Sequence, residues 1–283
     1  MSIQISPVIA AQTQGHGGAF SIKAIDLHKL GERASPIIVL DEFRVQGRPF
    51  PPHPHAGFSA VTYVFEDSQG SLRSRDSLGN DRVIGPGGIC WTQAGSGVVH
   101  EELPAEPNRE LHGLQVFVNL SSKNKLTVPD VFRLEGSEVP EWRNTARDRV
   151  RVVVGSFENV ASPLITSEAF NLLDVQLQSE IHFDLQRAHN AVIYVITGAV
   201  LVGADGAEQR VAAENAVAVG GTGGRATFKA VHLSHFVILS GAAICEPVAV
   251  DGPFIMNDRA QIEAAIARYR SGKMGRLAPL ADN

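Results

Sequence analysis

Short apolar runs alternate with clusters of Gly, Pro, Asn and Asp along nearly the whole 283-residue chain, and no other feature restricts its fold as strongly. Runs of that length, bounded by residues that favour turns, read as strands. Residues 58–66 show the pattern best: Val61, Tyr63 and Phe65 share one face, Ala60, Thr62 and Val64 the other. Both faces are largely apolar, which places the strand inside a sandwich or barrel. Further strands are expected at 71–76, 88–92, 97–103 and 112–119, then at 150–157, 171–177, 181–185, 191–197, 199–204, 216–220 and 235–239. The fold class is all-β.

The two halves of the chain look like copies of one unit. Tyr63-Val64-Phe65-Glu66, Gly70 and a short strand parallel Tyr194-Val195-Ile196-Thr197, Gly198 and a strand; residues 112–117 parallel 235–239. A repeated supersecondary unit of this size implies two tandem barrels. Between them, residues 126–148 are polar, carry Pro129 and Pro140, and have a weak helical flavour at 130–134. The expected division is therefore an N-terminal barrel over 1–125, a linker over 126–148, and a C-terminal barrel over 149–283. One short helix is expected at 257–269, opened by Asp258 and Gln261 as a capping box. Ile262, Ala265, Ile266 and Tyr269 line its apolar face, which packs onto a barrel.

Composition excludes several roles. A formal charge of −5 argues against a nucleic-acid surface. The one basic cluster, Arg143, Arg147, Arg149 and Arg151, reads as a solvated linker or strand edge. Cys90 and Cys245 lie far apart among apolar residues and read as buried reduced thiols. No apolar run is long enough to span a membrane, and the first residues lack a secretory pattern, so a cytoplasmic location is expected.

The chemistry concentrates in two short pairs. His53-Pro54-His55 and His100-Glu101-Glu102 each offer two ligating side chains at i and i+2. On a strand such residues project to one face, so two strands facing one cavity would bring His53, His55, His100 and Glu102 to one point. A single histidine on a strand is usually structural. A His-x-His followed by a His-x-Glu behind Gly95-Ser96-Gly97 is much rarer. Three neutral imidazoles and one carboxylate suit a divalent transition metal such as Fe, Ni, Cu, Mn or Zn, and leave coordination positions open for catalysis. His182, His189, His232 and His235 do not reproduce the spacing, so the site belongs to the first barrel alone.

These pairs resemble the cupin pattern, with Gly97-Val98-Val99-His100 as its second motif. The usual cupin carboxylate position is Ser59 here, and Glu102 takes its place. That substitution, with Pro52-His53-Pro54-His55-Ala56-Gly57-Phe58, the 95–102 and 112–120 stretches and Gly252-Pro253-Phe254-Ile255-Met256-Asn257, is similar to the pirin family over nearly the whole chain. Ala56 departs from the Arg that family members often carry. The resemblance implies two cupin (double-stranded β-helix, jelly-roll) barrels, an iron-type Fe(2+) centre on His53, His55, His100 and Glu102, and an empty second barrel. It further implies a quercetin 2,3-dioxygenase-type oxidoreductase, in which O2 opens the central ring of a flavonol with release of CO. Glu102 would be both ligand and general base, and Phe65, Trp91 and Gln115 would line the pocket of a planar aromatic substrate. The competing reading is a non-enzymatic, metal- or redox-sensing regulator that binds a protein partner; a metal-bound hydrolase or isomerase is a third.

Overall fold

In the computed structural model, which describes residues 3–16, 20–47 and 50–280, the alternating runs become antiparallel strands in two compact units. Each unit pairs a large sheet with a four-stranded one. In the unit that carries the histidine pairs, the large sheet runs Asp130–Leu134, Ile89–Gln93, Phe58–Val64, Leu111–Asn119, Ile37–Val45, Phe20–Ala24, Gln12–His16. Its four-stranded partner runs His53–His55, Val98–Pro104, Leu72–Asp76, Asp81–Ile84. In the other unit the four-stranded sheet runs Glu180–Leu185, Gly224–Ala230, Ala199–Ala204, Ala207–Ala212.

The units cross the linear division expected from the sequence. One comprises 13–22, 39–138 and 244–283; the other 1–12, 23–38 and 139–243. The expected linker is structured: Asp130–Leu134 is a strand, not a helical turn, and pairs with Ile89–Gln93 in unbroken register. It reads as polar because it is an edge strand with only Leu134 buried. Glu141–Arg143 is likewise a strand, paired with Arg149–Val154 in the other unit. There Arg143, Arg149 and Arg151 converge on Glu141; Arg151 is buried, while Arg143, on the edge strand of its sheet, and Arg147 are exposed, so the expected solvated edge holds for part of the basic cluster only. Cys90 is buried as expected; Cys245 is exposed, and both are free thiols.

Residues 244–280 brace the strands that bear the histidines. The helix Arg259–Arg270 opens on Asp258, whose carboxylate accepts from the Gln261 N–H at 2.8 Å. Ile262 and Ala265 are buried with Ala56, Val99, Phe254, Met256 and Met274, while Tyr269 at the rim is exposed. This apolar cluster lies behind His55 and His100, because Ala56 and Val99 are their chain neighbours. Two glycines permit the close approach. Gly57 has φ +85°, and a Cβ there would meet the Ile255 carbonyl oxygen at 1.9 Å; one on Gly97 would meet Met274 at 2.5 Å. Lys125 completes the brace: its buried Nζ donates to the carbonyls of Gly57 (2.8 Å) and Ile255 (3.0 Å) and to Asn119 Oδ1.

Candidate metal centre

Strand pairing assembles the site. The His53–His55 strand runs antiparallel to Val98–Pro104 with His53 opposite His100 and His55 opposite Val98. Directly opposed residues share a face, and so do residues two apart, so all three imidazoles point inward together. Their potential ligand atoms lie within 4.8 Å of one another, the only such group of three among the described residues. The Nε2 atoms of His53 and His55 are 3.1 Å apart, and His53 Nδ1 hydrogen-bonds the Pro51 carbonyl at 2.9 Å. That bond places the ring proton on Nδ1 and leaves Nε2 as a lone pair facing the cluster.

Burial holds two of these rings, His55 and His100, in the neutral form. Burial, reinforced by the charge on His53, pushes His55 down to about 3. Burial and the other two rings push His100 well below the usual imidazole value, and its Nδ1 is buried with no hydrogen-bond partner. Neutral imidazoles packed this closely oppose a proton but welcome a cation that accepts several lone pairs at once. The donor set therefore fits a divalent metal.

Glu102 lines the same cavity but makes its nearest contact elsewhere: its Oε2 lies 2.5 Å from the Thr62 hydroxyl, which is also 3.2 Å from Gln115 Oε1. Burial lifts the Glu102 carboxyl to about 7, against the lowering effect of hydrogen bonds from Thr62 and Cys90. The Thr62 hydroxyl has one hydrogen to give. It lies within donating distance of both Glu102 Oε2 and Gln115 Oε1, and Gln115 is itself anchored through Nε2 on the Val61 carbonyl at 3.0 Å. Glu101, between His100 and Glu102, points away from the cavity into a buried ion pair with Arg75 at 2.6 Å.

The cavity measures about 350 Å³ and is walled mainly by apolar and aromatic side chains, with Phe20, Phe43, Phe50 and Phe117 among them. Gln115 belongs to its wall, as expected from the sequence. Trp91 and Phe65 do not. Trp91 stands opposite Val61, on the sheet face away from Thr62, and Phe65 stacks on Tyr63 and His112 at centroid distances of 5.5 and 4.8 Å. Sequence reasoning also missed Thr62 as a partner of Glu102, and Asp41, a carboxyl on the cavity wall. Their signal was present: Asp41 interrupts the apolar face formed by Val39, Phe43 and Val45, and Thr62 interrupts that of Ala60 and Val64.

Comparison with known proteins places this architecture. The family model described as Pirin matches residues 16–118, and that of the pirin C-terminal cupin domain matches 172–275. The chain belongs to the pirin family. It is 33% identical to human pirin over 282 residues, spanning 96% of this chain and 93% of that protein. It is 32% identical to a Pseudomonas aeruginosa protein that carries the provisional name quercetin 2,3-dioxygenase, over 85% of this chain and 87% of that protein. The crystal structure of a quercetin 2,3-dioxygenase from Acinetobacter baumannii superposes with a TM-score of 0.84 at 25% identity, covering 97% of this chain and 99% of the other. The two barrels of this pirin-family protein are thus cupin domains, as the sequence resemblance implied. No helix among its described residues is long and apolar enough to cross a membrane.

Proposed function

We propose that the protein is a metal-dependent dioxygenase that opens the central ring of a flavonol such as quercetin with O2, releasing CO. The observation that carries this reading is the convergence of three imidazoles and Glu102 on one largely apolar cavity. His53, His55, His100 and Glu102 would hold the metal, Fe(2+) being the assignment and Ni, Cu, Mn or Zn the alternatives that such ligands accept. When bound, the metal supplies Lewis acidity that lowers the pKa of the flavonol hydroxyl and brings it together with oxygen. The rest falls to the chain's own residues. The phenylalanine-lined walls take up a flat aromatic ligand and exclude water. Glu102 accepts the hydroxyl proton, and Thr62 and Gln115 hold the Glu102 carboxyl in place before and after that transfer. The relatives that carry the quercetin dioxygenase name support the choice of substrate class.

The test is metal analysis of protein purified without chelators, then anaerobic iron loading and oxygen uptake with quercetin. Bleaching of the flavonol's near-ultraviolet band should accompany oxygen consumption. His53→Ala should lose metal affinity by 10²-fold or more, on the order expected for deletion of a ligand rather than an outer-shell group, and turnover with it. A protein that binds metal but turns over no flavonol would sink the oxygenase and favour a redox-sensing regulator with a protein partner. A protein that takes up no metal would remove both.

A further inference from the structure

Asp41 is a polar feature of the cavity that the metal-centred chemistry leaves unused. It lies on the Ile37–Val45 strand, whose alternate residues Val39, Asp41, Phe43 and Val45 all face the cavity. That strand belongs to the large sheet, whereas the three imidazoles stand on the four-stranded sheet that forms the other wall. Its neighbours on the cavity wall include Phe20, Ile22 and Phe50. Among the described residues, no cation or hydrogen-bond donor meets its carboxyl, and burial lifts that carboxyl to about 6. A carboxyl in apolar surroundings without a partner destabilises the fold, and valine or leucine would fill the position better. Every other polar group identified on this wall is tied into the Glu102–Thr62–Gln115 chain or the imidazole cluster.

We infer that Asp41 is a specificity-determining residue that accepts hydrogen bonds from phenolic hydroxyl groups of a flat aromatic ligand, on the side of the cavity away from the imidazoles. The flanking phenylalanines favour a neutral planar frame over a hydrated ammonium, whose desolvation they would not repay. A carboxyl group pairs well with phenolic donors in either protonation state, since at least one oxygen always accepts. The inference takes the aromatic frame from the flavonol reading but does not depend on oxygen chemistry. Its consequence is selectivity: ring-hydroxylated flavonols should bind in preference to the bare flavonol.

Zinc-loaded protein separates binding from turnover, because zinc is redox-inert. Calorimetric titration with quercetin and with 3-hydroxyflavone, which lacks the ring hydroxyls, should give the wild-type a preference for quercetin of about tenfold or more, the size expected for one or two well-made hydrogen bonds. Asp41→Leu should bring that ratio close to one while still taking up zinc, which reports a folded site. Asp41→Asn, which keeps a carbonyl acceptor, should fall between. Equal affinities in the wild-type, or a ratio that Asp41→Leu leaves intact, would overturn the assignment. Failure of both flavonols to bind would overturn it together with the flavonol reading. A ratio that collapses as expected, in a protein whose iron form consumes no oxygen, would uphold Asp41 and remove only the oxygenase.

Discussion

In the first barrel Thr62 stands across the ladder from Gln115; in the second, at the corresponding strand pair, Ile193 stands across from Ile238. The same substitution of polar by apolar recurs throughout the two interiors. His100 and Glu102 pair with Asp76 and Ser74, whereas Ala226 and Phe228 pair with Ala204 and Val202 on the strands holding the same places in the other four-stranded sheet. His53, opposite His100, corresponds to Phe183, opposite Ala226. Gly113, opposite Val64, corresponds to Phe236, opposite Val195. The second barrel is filled by these side chains, with Phe183, Phe228 and Phe236 in one continuous core cluster. The first is left with a cavity of about 350 Å³ whose wall carries imidazoles, carboxyls and an amide. One architecture has thus been used once as a packed core and once as a vessel. Its topology alone specifies neither.

The difference should appear in stability measured on metal-free protein. The largest effect is expected where the packed barrel is opened: Phe228→Ala should lower unfolding free energy by about 3–5 kcal/mol in urea, the usual result of removing a phenylalanine from a close-packed interior. A loss below about 1 kcal/mol would mean the second barrel is not packed as described.

The converse change fills the vessel. Glu102→Leu removes a carboxyl that burial holds near 7, and Thr62 can still donate to Gln115. The variant should gain about 1–2 kcal/mol without metal, because a buried ionisable group is replaced by an apolar one and no partner is left stranded. It should also bind metal more weakly. Destabilisation in the metal-free state would show that Glu102 contributes to folding rather than only to the site.

The last effect concerns pH. Asp41 is raised from 3.8 to about 6 in the folded protein, so the unfolded chain releases this proton first. Stability is then lost progressively as pH rises from about 3.8 to about 6, and the penalty is complete above that range. Asp41→Asn should therefore be the more stable protein above about pH 6 and nearly equal to wild-type below about pH 3.8. Denaturation midpoints across that range check it; a pH-independent difference would mean that the carboxyl is solvated in both states.

Much of the metal centre was legible because it depends on local periodicity. Residues two apart on a strand share a face, so the two i, i+2 pairs already specified which side chains could converge. The neighbouring residues then suggested Glu102 as the fourth ligand, whereas the structure brings only the three histidines within 4.8 Å of one another. Trp91 and Phe65 were misplaced because alternation tells which residues share a face, not which face looks into the cavity. That depends on the partner strand: opposite Val61, Trp91 is turned away from Thr62. Asp41 went unseen because its strand, broken by charged residues, did not read as one. The compact units cross the expected linear limits for a related reason. Residues 244–280 join the first barrel through contacts of Phe254, Met256 and Ile262 with Ala56 and Val99, roughly 155 to 206 positions distant in sequence.

The sequence by itself determined the all-β architecture, its duplication and the three histidines that could hold a metal, since turn chemistry and two-residue periodicity act over short stretches of chain. Only the tertiary structure decided that one barrel is hollow and the other full. It likewise decided that Glu102 leans on Thr62 and that Asp41 faces the same space as the histidines. Those outcomes depend on which side chains meet across paired strands and facing sheets. Such meetings follow from the packing of the whole barrel rather than from any one of its strands.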